Sequence, residues 1–248
     1  MRYLILSDIH SNLEALEKSL NLAGGRYDQI LCLGDLVGYG PDPNAVISRI
    51  RPLAGVMVRG NHDKACCGLM DTEEFNFLAR AATDWTRTRL TPENTEFLRG
   101  LPSGPVQVNG IELVHGSPVD EDEYVFDTLE ADRVFRAAGA PLVFFGHSHR
   151  QGGFLLAGDV PARPLPLPAI KDNEPAGLDL QPGVRYLINP GSIGQPRDGD
   201  WRSAFAIFDS DRNRVDFYRT PYDLAATQEK MRREGLPEPL IARLEVGR

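Results

Sequence analysis

Five short apolar runs in this chain end the same way: each passes directly into residues that can ligate a metal ion. The run at 3–6 leads to Asp8 and His10, the run at 30–33 to Asp35, and the run at 56–58 to Asn61 and His62. The run at 111–114 leads to His115, and the run at 142–145 to His147 and His149. Short apolar stretches bounded by turn residues read as buried strands. Between the first three lie segments of helical period. Residues 12–23 place Leu13, Leu16, Leu20 and Ala23 on one face behind a Ser11 or Asn12 cap, and residues 43–50 carry Pro43 in the first turn. Strand and helix in alternation predict an α/β fold with a largely parallel sheet. Ligands in such sheets sit beyond the carboxyl ends of strands, so parallel neighbours bring these side chains to one rim.

The histidine count sharpens the pattern. The chain has five histidines, and all five stand at these strand ends, leaving none for a routine surface or core position. One histidine alone reads most simply as structural; a cluster of His and Asp reads as a metal or catalytic site. Gly34, Gly60, Gly116 and Gly146 adjoin the candidate ligands, where the backbone must turn tightly or approach another group. The spacings Asp8-Ile9-His10 and His147-Ser148-His149 each separate two donors by one residue, which in extended chain points both the same way. A carboxylate such as Asp35 can bridge two cations. Imidazole and carboxylate donors together suit two divalent transition-metal ions, manganese first, with iron, zinc, cobalt or nickel as alternatives, and not an all-oxygen magnesium or calcium site.

Beyond the first three strands, residues 73–90 predict a long helix with Phe75, Leu78, Ala82 and Trp85 as its buried stripe. Thr91 and Pro92 start another helix. Asn109-Gly110 between two apolar runs predicts a hairpin, and Asp127 with Glu130 forms a capping box before a helix to about 138. A second set of strands is expected at 154–157, 185–188, 204–208 and 215–218. Residues 160–183, rich in proline and glycine, read as an irregular surface excursion. The tail at 223–248 holds a helix and an apolar pattern at Leu236, Leu240, Ile241 and Leu244, either packed on the domain or forming a homodimer contact. The whole of 1–248 is expected to be one domain.

Composition excludes some partners. With 27 basic against 35 acidic residues the net charge is −8, which argues against a nucleic-acid polymer. No apolar run approaches the ~20 residues of a membrane span, and residues 1–10 lack the pattern of a signal peptide. Cys32, Cys66 and Cys67 make no disulfide framework and suit a reducing compartment, so a cytoplasmic location is expected. Cys66 and Cys67 read as helix packing.

In order along the chain, Asp8-Ile9-His10, Gly34-Asp35, Gly60-Asn61-His62-Asp63, His115-Gly116 and Gly146-His147-Ser148-His149 resemble the five motif blocks of the calcineurin-like metallophosphoesterases. Asn189-Pro190-Gly191-Ser192 with Pro196-Arg197 resembles their small bacterial and archaeal phosphodiesterase-like branch, which carries the likeness over nearly the whole chain. The resemblance implies a four-layer αββα sandwich, with two mixed sheets face to face and helices outside. It implies that Asp8, His10 and His149 hold one metal, that Asn61, His115 and His147 hold a second, and that Asp35 bridges them, with the ions roughly 3.5 Å apart. A water held between them would lose a proton and attack phosphorus in line, while His62 protonates the leaving oxygen.

The chain departs from the phosphoprotein phosphatases of that superfamily. Where they carry Asp-Arg-Gly after the Gly-Asp block, it has Gly38-Tyr39-Gly40, so the aspartate that orients the catalytic histidine is absent and a tyrosine replaces the phosphate-binding arginine. Asp63 stands where they have glutamate, and is the remaining acidic candidate for orienting His62. Tyr39 and Arg197 are candidate substrate-binding residues. The expectation is a phosphodiesterase acting on a small or nucleotide-like phosphoester. The alternatives are a phosphomonoesterase, a protein or dinucleoside-polyphosphate phosphatase, or a non-enzymatic protein-binding scaffold on the same fold.

Overall fold

A computed structural model describes residues 1–248. The first segments follow the periodicity: β1 Arg2–Leu6, α1 Leu13–Ala23, β2 Gln29–Cys32, α2 Pro43–Ile50 and β3 Ala54–Met57. Three helices come next, α3 Asn61–Cys67, α4 Phe77–Arg89 and α5 Pro92–Arg99. They lead to β4 Val106–Val108, β5 Ile111–Leu113, α6 Thr128–Ala137 and β6 Leu142–Phe144. The remainder is β7 Gly152–Ala157, β8 Arg163–Pro164, β9 Ala176–Asp179, β10 Val184–Asn189, β11 Ser203–Asp209, β12 Arg214–Thr220, α7 Leu224–Arg233 and α8 Glu238–Arg243. Asn12 caps α1 by accepting from the Ala15 amide, and the Asp127/Glu130 capping box opens α6. Asn109 and Gly110 both take positive φ, +48° and +81°, closing the β4–β5 hairpin as their residue types allow.

The strands form two six-stranded mixed sheets, ordered β3-β2-β1-β11-β12-β9 and β4-β5-β6-β10-β7-β8. Strands β1, β2 and β3 run parallel in the first, and β5, β6 and β10 run parallel in the second. The alternation of side chains along β1 divides the core. Leu4 and Leu6 pack against α1, α2 and the short helix α3 in one apolar layer. Tyr3 and Ile5 face the other way and meet Ile111, Leu113, Phe144 and Ile188 of the second sheet. A third layer, centred on Val134, Phe135 and Phe145, seats α6 on the outer face of that sheet. This is the α/β architecture with two mixed sheets and helices outside.

Three local expectations change, and the packed reading of the tail holds. The helix α3 was not anticipated; seven residues between Gly60 and Gly68 are too few to display a period. The helix expected from 73 begins only at Phe77, because the Asn76 side chain caps it by accepting from the Ala79 amide, which frees Phe75 to face His62. The proline-rich stretch 160–183 is not a mere excursion: it supplies β8, paired to β7, and β9, paired to β12, as an edge strand for each sheet. In the tail, Leu236, Leu240, Ile241 and Leu244 are buried against Tyr39, Ala79 and Ala82 of the same chain, so they are consumed in its own core.

Candidate metal centre

The turns following β1, β2 and β3 are laced to one another by their backbones. The Asp8 amide donates to Gly34 O, His10 to Asp35 O and Ser11 to Leu36 O. The third turn packs so closely that a Cβ on Gly60 would lie 2.1 Å from Asp35 Oδ1, so only glycine admits the approach. The turn after β10 closes the rim from the second sheet. Ser192 Oγ and the Gly194 amide donate to Asp8 O, and Asn189 Nδ2 donates to Gly146 O, which fixes the turn carrying His147.

The donor-bearing turns are not extended. Asp8, His10, Asp35, His147 and His149 have φ between +47° and +63°, in the left-handed region. The one-residue spacing within Asp8-Ile9-His10 and His147-Ser148-His149 therefore does not work through strand alternation, as the sequence suggested. Tight turns aim these side chains instead. Left-handed backbone at a non-glycine residue costs about 1–3 kcal/mol each and persists only where surroundings enforce it. Here the enforcing contacts are the cross-turn hydrogen bonds.

Three histidines have their tautomers set by carbonyl oxygens, which can only accept. His10 Nδ1 donates to Val37 O at 3.0 Å, His115 Nδ1 to Leu33 O at 2.7 Å and His149 Nδ1 to Gln195 O at 2.6 Å. Each Nε2 then turns a lone pair inward, the arrangement that orients metal-bound imidazole. These nitrogens converge with the carboxylates. His10 Nε2 is 3.0 Å from His149 Nε2 and 3.4 Å from Asp35 Oδ2; His149 Nε2 is 3.3 Å from Asp8 Oδ1. On the other side His115 Nε2 lies 3.5 Å from Asp35 Oδ2 and 3.3 Å from Asn61 Oδ1. Asp8, His10, Asp35 and His149 form one group and Asp35, His115 and His147 a second, each with donors within 4.8 Å of one another. Asp35 belongs to both.

The donor set fits divalent cations on electrostatic grounds too. Asp8 Oδ2, Asp35 Oδ2 and His147 Nε2 are buried with no hydrogen-bond partner. Burying such atoms unpaired is costly, and a cation is the partner that all three accept. Burial pushes the Asp8 carboxyl up to about 7 and holds His10, His147 and His149 well below the ordinary imidazole range, leaving their lone pairs free. His115 moves oppositely: burial lowers it, but the Asp35 carboxylate overrides burial and raises it to about 10.

His62 sits next to this cluster. Its amide donates to Asp35 Oδ1 at 2.9 Å, and its ring packs among Tyr39, Phe75 and His10 with centroids 4.4, 4.9 and 5.0 Å away. Burial lowers its pKa to about 4. Asp63 does not orient it. One Asp63 oxygen accepts from the Leu36 and Val37 amides and the other from the Gly60 amide, so this carboxylate caps α3 and ties down the turn after β2. Gly38 explains the missing acid: a Cβ there would stand 2.6 Å from His62 Nδ1, on backbone at φ +89°. Ring packing, not an ion pair, positions His62. Gly38→Ala is therefore expected to cost about 1–3 kcal/mol from overpacking and to turn the imidazole. Urea denaturation and a crystal structure of the variant check both; an unmoved ring at unchanged stability contradicts it.

Several neighbours carried no sequence signal. Tyr124 stacks on His147 at 3.8 Å and Phe126 stacks on Tyr124 at 5.0 Å, from an irregular loop with no period to read. Gln195 offers a backbone carbonyl, which no residue type announces. A cleft of about 210 Å³ opens over the cluster, lined by Tyr39, Asn61, His62, Phe75, Tyr124 and His147 among others. Arg197 is joined to the rim by its amide, which donates to His149 O. Cys66 and Cys67 are buried in the layer against the first sheet. No helix is long and apolar enough to cross a membrane.

Known proteins are similar to this chain. Residues 1–151 match the family model for calcineurin-like phosphoesterases. An uncharacterised protein of Methanocaldococcus jannaschii is 36% identical over 98% of this chain and 97% of its own length. A metallophosphoesterase from Sphaerobacter thermophilus is 42% identical and superposes with a TM-score of 0.86, covering 100% of this chain and 99% of its own. A hypothetical protein from Pyrococcus horikoshii shares the fold with a TM-score of 0.78 at 22% identity, covering 100% of this chain and 98% of its own.

Proposed function

The chain belongs to the calcineurin-like phosphoesterase family, and from that premise we propose that it is a phosphodiesterase acting on small or nucleotide-like substrates. Asp8, His10, Asp35 and His149 would hold one divalent cation, and Asp35, Asn61, His115 and His147 would hold another. The observation that carries this is the membership of Asp35 in two overlapping donor groups, with its Oδ2 buried and unpaired between them. When bound, two such cations supply an activated water for in-line attack and neutralise charge on the transferring phosphoryl group.

The chain's own residues do the rest. The carbonyls of Leu33, Val37 and Gln195 keep three imidazoles in the tautomer that presents Nε2. Asp35 Oδ1 accepts from the His62 amide, which leaves Oδ2 unpaired between the two donor groups. The Nδ1 edge of His62 lies against Gly38, which leaves Nε2 toward the cleft, and the negative charge of a bound phosphoester would raise the ring's lowered pKa so that it can hold a proton for the leaving oxygen. The cleft's lining, aromatic rings with a few polar donors, suits a small phosphoester.

Purified protein reconstituted separately with manganese, iron, zinc, cobalt, nickel and magnesium tests the proposal on diesters, monoesters and dinucleoside polyphosphates. Highest kcat/KM on a diester with a transition metal, and poor activity with magnesium, is the expected result. A monoester preference overturns the diesterase assignment, and no turnover with any metal favours a scaffold.

A further inference from the structure

Tyr39 carries two guanidinium groups. Arg197 Cζ lies 5.6 Å and Arg243 Cζ 5.7 Å from its ring centroid. They arrive from distant parts of the chain. Arg197 stands in the turn after β10, and Arg243 ends α8, whose Leu240 and Ile241 are buried in one apolar cluster with Tyr39. The tail is pinned to the Arg197 turn beyond that point, since the Gly199 amide donates to Gly247 O. Both cations are therefore held in place by packing and backbone contacts, not drawn together by a shared counter-ion.

Neither is paired with an aspartate or glutamate. Arg197 spends one terminal nitrogen on Gln195 Oε1 at 3.1 Å, and its Nε is buried without a partner. Arg243 turns Nε back onto Arg248 O and leaves its terminal nitrogens free. Several partly buried cations of this acidic chain are matched with carboxylates, Arg59 and Lys64 with Glu121, Arg219 with Asp198, and Lys230 with Glu14 and Asp42, while Arg185 lies over Phe135 and donates to carbonyl oxygens. Burial and the Arg197 charge both lower the Arg243 pKa. Guanidinium forks match phosphate and carboxylate oxygens in shape as well as charge.

We propose that Arg197 and Arg243 form a clamp over Tyr39 for a second anionic group of the substrate, a non-scissile phosphoryl group, so that the C-terminal helix is part of the substrate site. Resting on the phosphoesterase assignment for the scissile group, this narrows the substrate class to small phosphoesters that carry a further phosphoryl group. The Arg197 backbone is tied to His149 O, and Arg243 comes to the same ring from the C-terminal helix.

The test uses two diesters with one leaving group, propyl 4-nitrophenyl phosphate and its 2-phosphonatoethyl analogue, on the metal-loaded full chain. Wild type is expected to favour the phosphonate probe in kcat/KM by about tenfold or more, as a charge-assisted pair implies. Arg243→Gln should collapse that ratio to under about twofold, and Arg243→Lys should restore part of it. A ratio near one in wild type, or an unchanged ratio in Arg243→Gln, overturns the clamp. Calorimetric binding of both probes is measured alongside. If wild type hydrolyses neither probe, the diesterase assignment fails, while the clamp is still judged by whether Arg243→Gln selectively weakens binding of the phosphonate probe.

Discussion

Asp35→Asn is expected to reduce turnover by on the order of 10³-fold and to leave the purified protein depleted of metal at both positions. Lewis-acid stabilisation is worth several kcal/mol, and about 4 kcal/mol corresponds to about 10³ in rate. The atom concerned is Oδ2, which lies 3.4 Å from His10 Nε2 and 3.5 Å from His115 Nε2 and has no partner of its own. Asparagine can keep Oδ1 as the acceptor for the His62 amide, so the turn after β3 has no reason to move. Its amide nitrogen would then replace Oδ2 and direct hydrogens at lone pairs that should meet a cation. Asn61→Ala is the comparison, because Asn61 approaches only His115 and so touches one group. It should lose one metal and keep the other. Metal per chain by mass spectrometry separates the two cases. Two metals retained by Asp35→Asn would remove the bridging assignment, and equal losses in both variants would leave Asp35 with no special place.

Which features could be read from the sequence follows from what local pattern encodes. The donors were legible because each follows an apolar run, and parallel strands place run ends together without any knowledge of side-chain conformation. Their backbone was not legible. The left-handed φ of Asp8, His10 and His147 comes from hydrogen bonds to turns 25 or more residues away, such as Asp8 to Gly34 and Gly146 to His115 O. Asp63 misled for a related reason. Beside His62 in sequence, it looks available to that ring. Yet α3 is too short to reveal itself, and only as the third residue of that helix does Asp63 become a cap for Gly60 and a clasp for Leu36 and Val37. Strands β8 and β9 were hidden by prolines and glycines that suit edge positions as well as loops. Their pairing with β7 and β12 is a tertiary fact. The clamp around Tyr39 lay further out of reach, since nothing near Arg243 in the sequence refers to residue 39 or 197.

His62→Ala is expected to retain both metals yet lose activity in proportion to how poor the leaving group is. Its side chain makes no contact that either donor group needs; only its amide touches Asp35, and alanine keeps that amide. General acid catalysis is typically worth ~10² to 10⁴-fold and matters most when the departing oxygen is basic. A 4-nitrophenyl diester should therefore lose little, and an alkyl or nucleoside diester should lose about 10²-fold or more. Plotting log kcat against leaving-group pKa for wild type and variant gives the measurement, with a steeper negative slope in the variant. Parallel lines would mean that His62 does not deliver the proton. The Asp63→Asn variant makes the control sharper than it was from sequence alone. Because Asp63 caps α3 and never meets the His62 ring, its loss should act through stability. Asparagine keeps one acceptor and turns an amide against the Gly60 or Leu36 N–H, a change worth about 0.5–2 kcal/mol in capping terms. Its leaving-group plot should then run parallel to that of wild type, displaced but not tilted. A tilt in Asp63→Asn would mean that the cap also sets the angle of the ring, through the turn that carries Gly38.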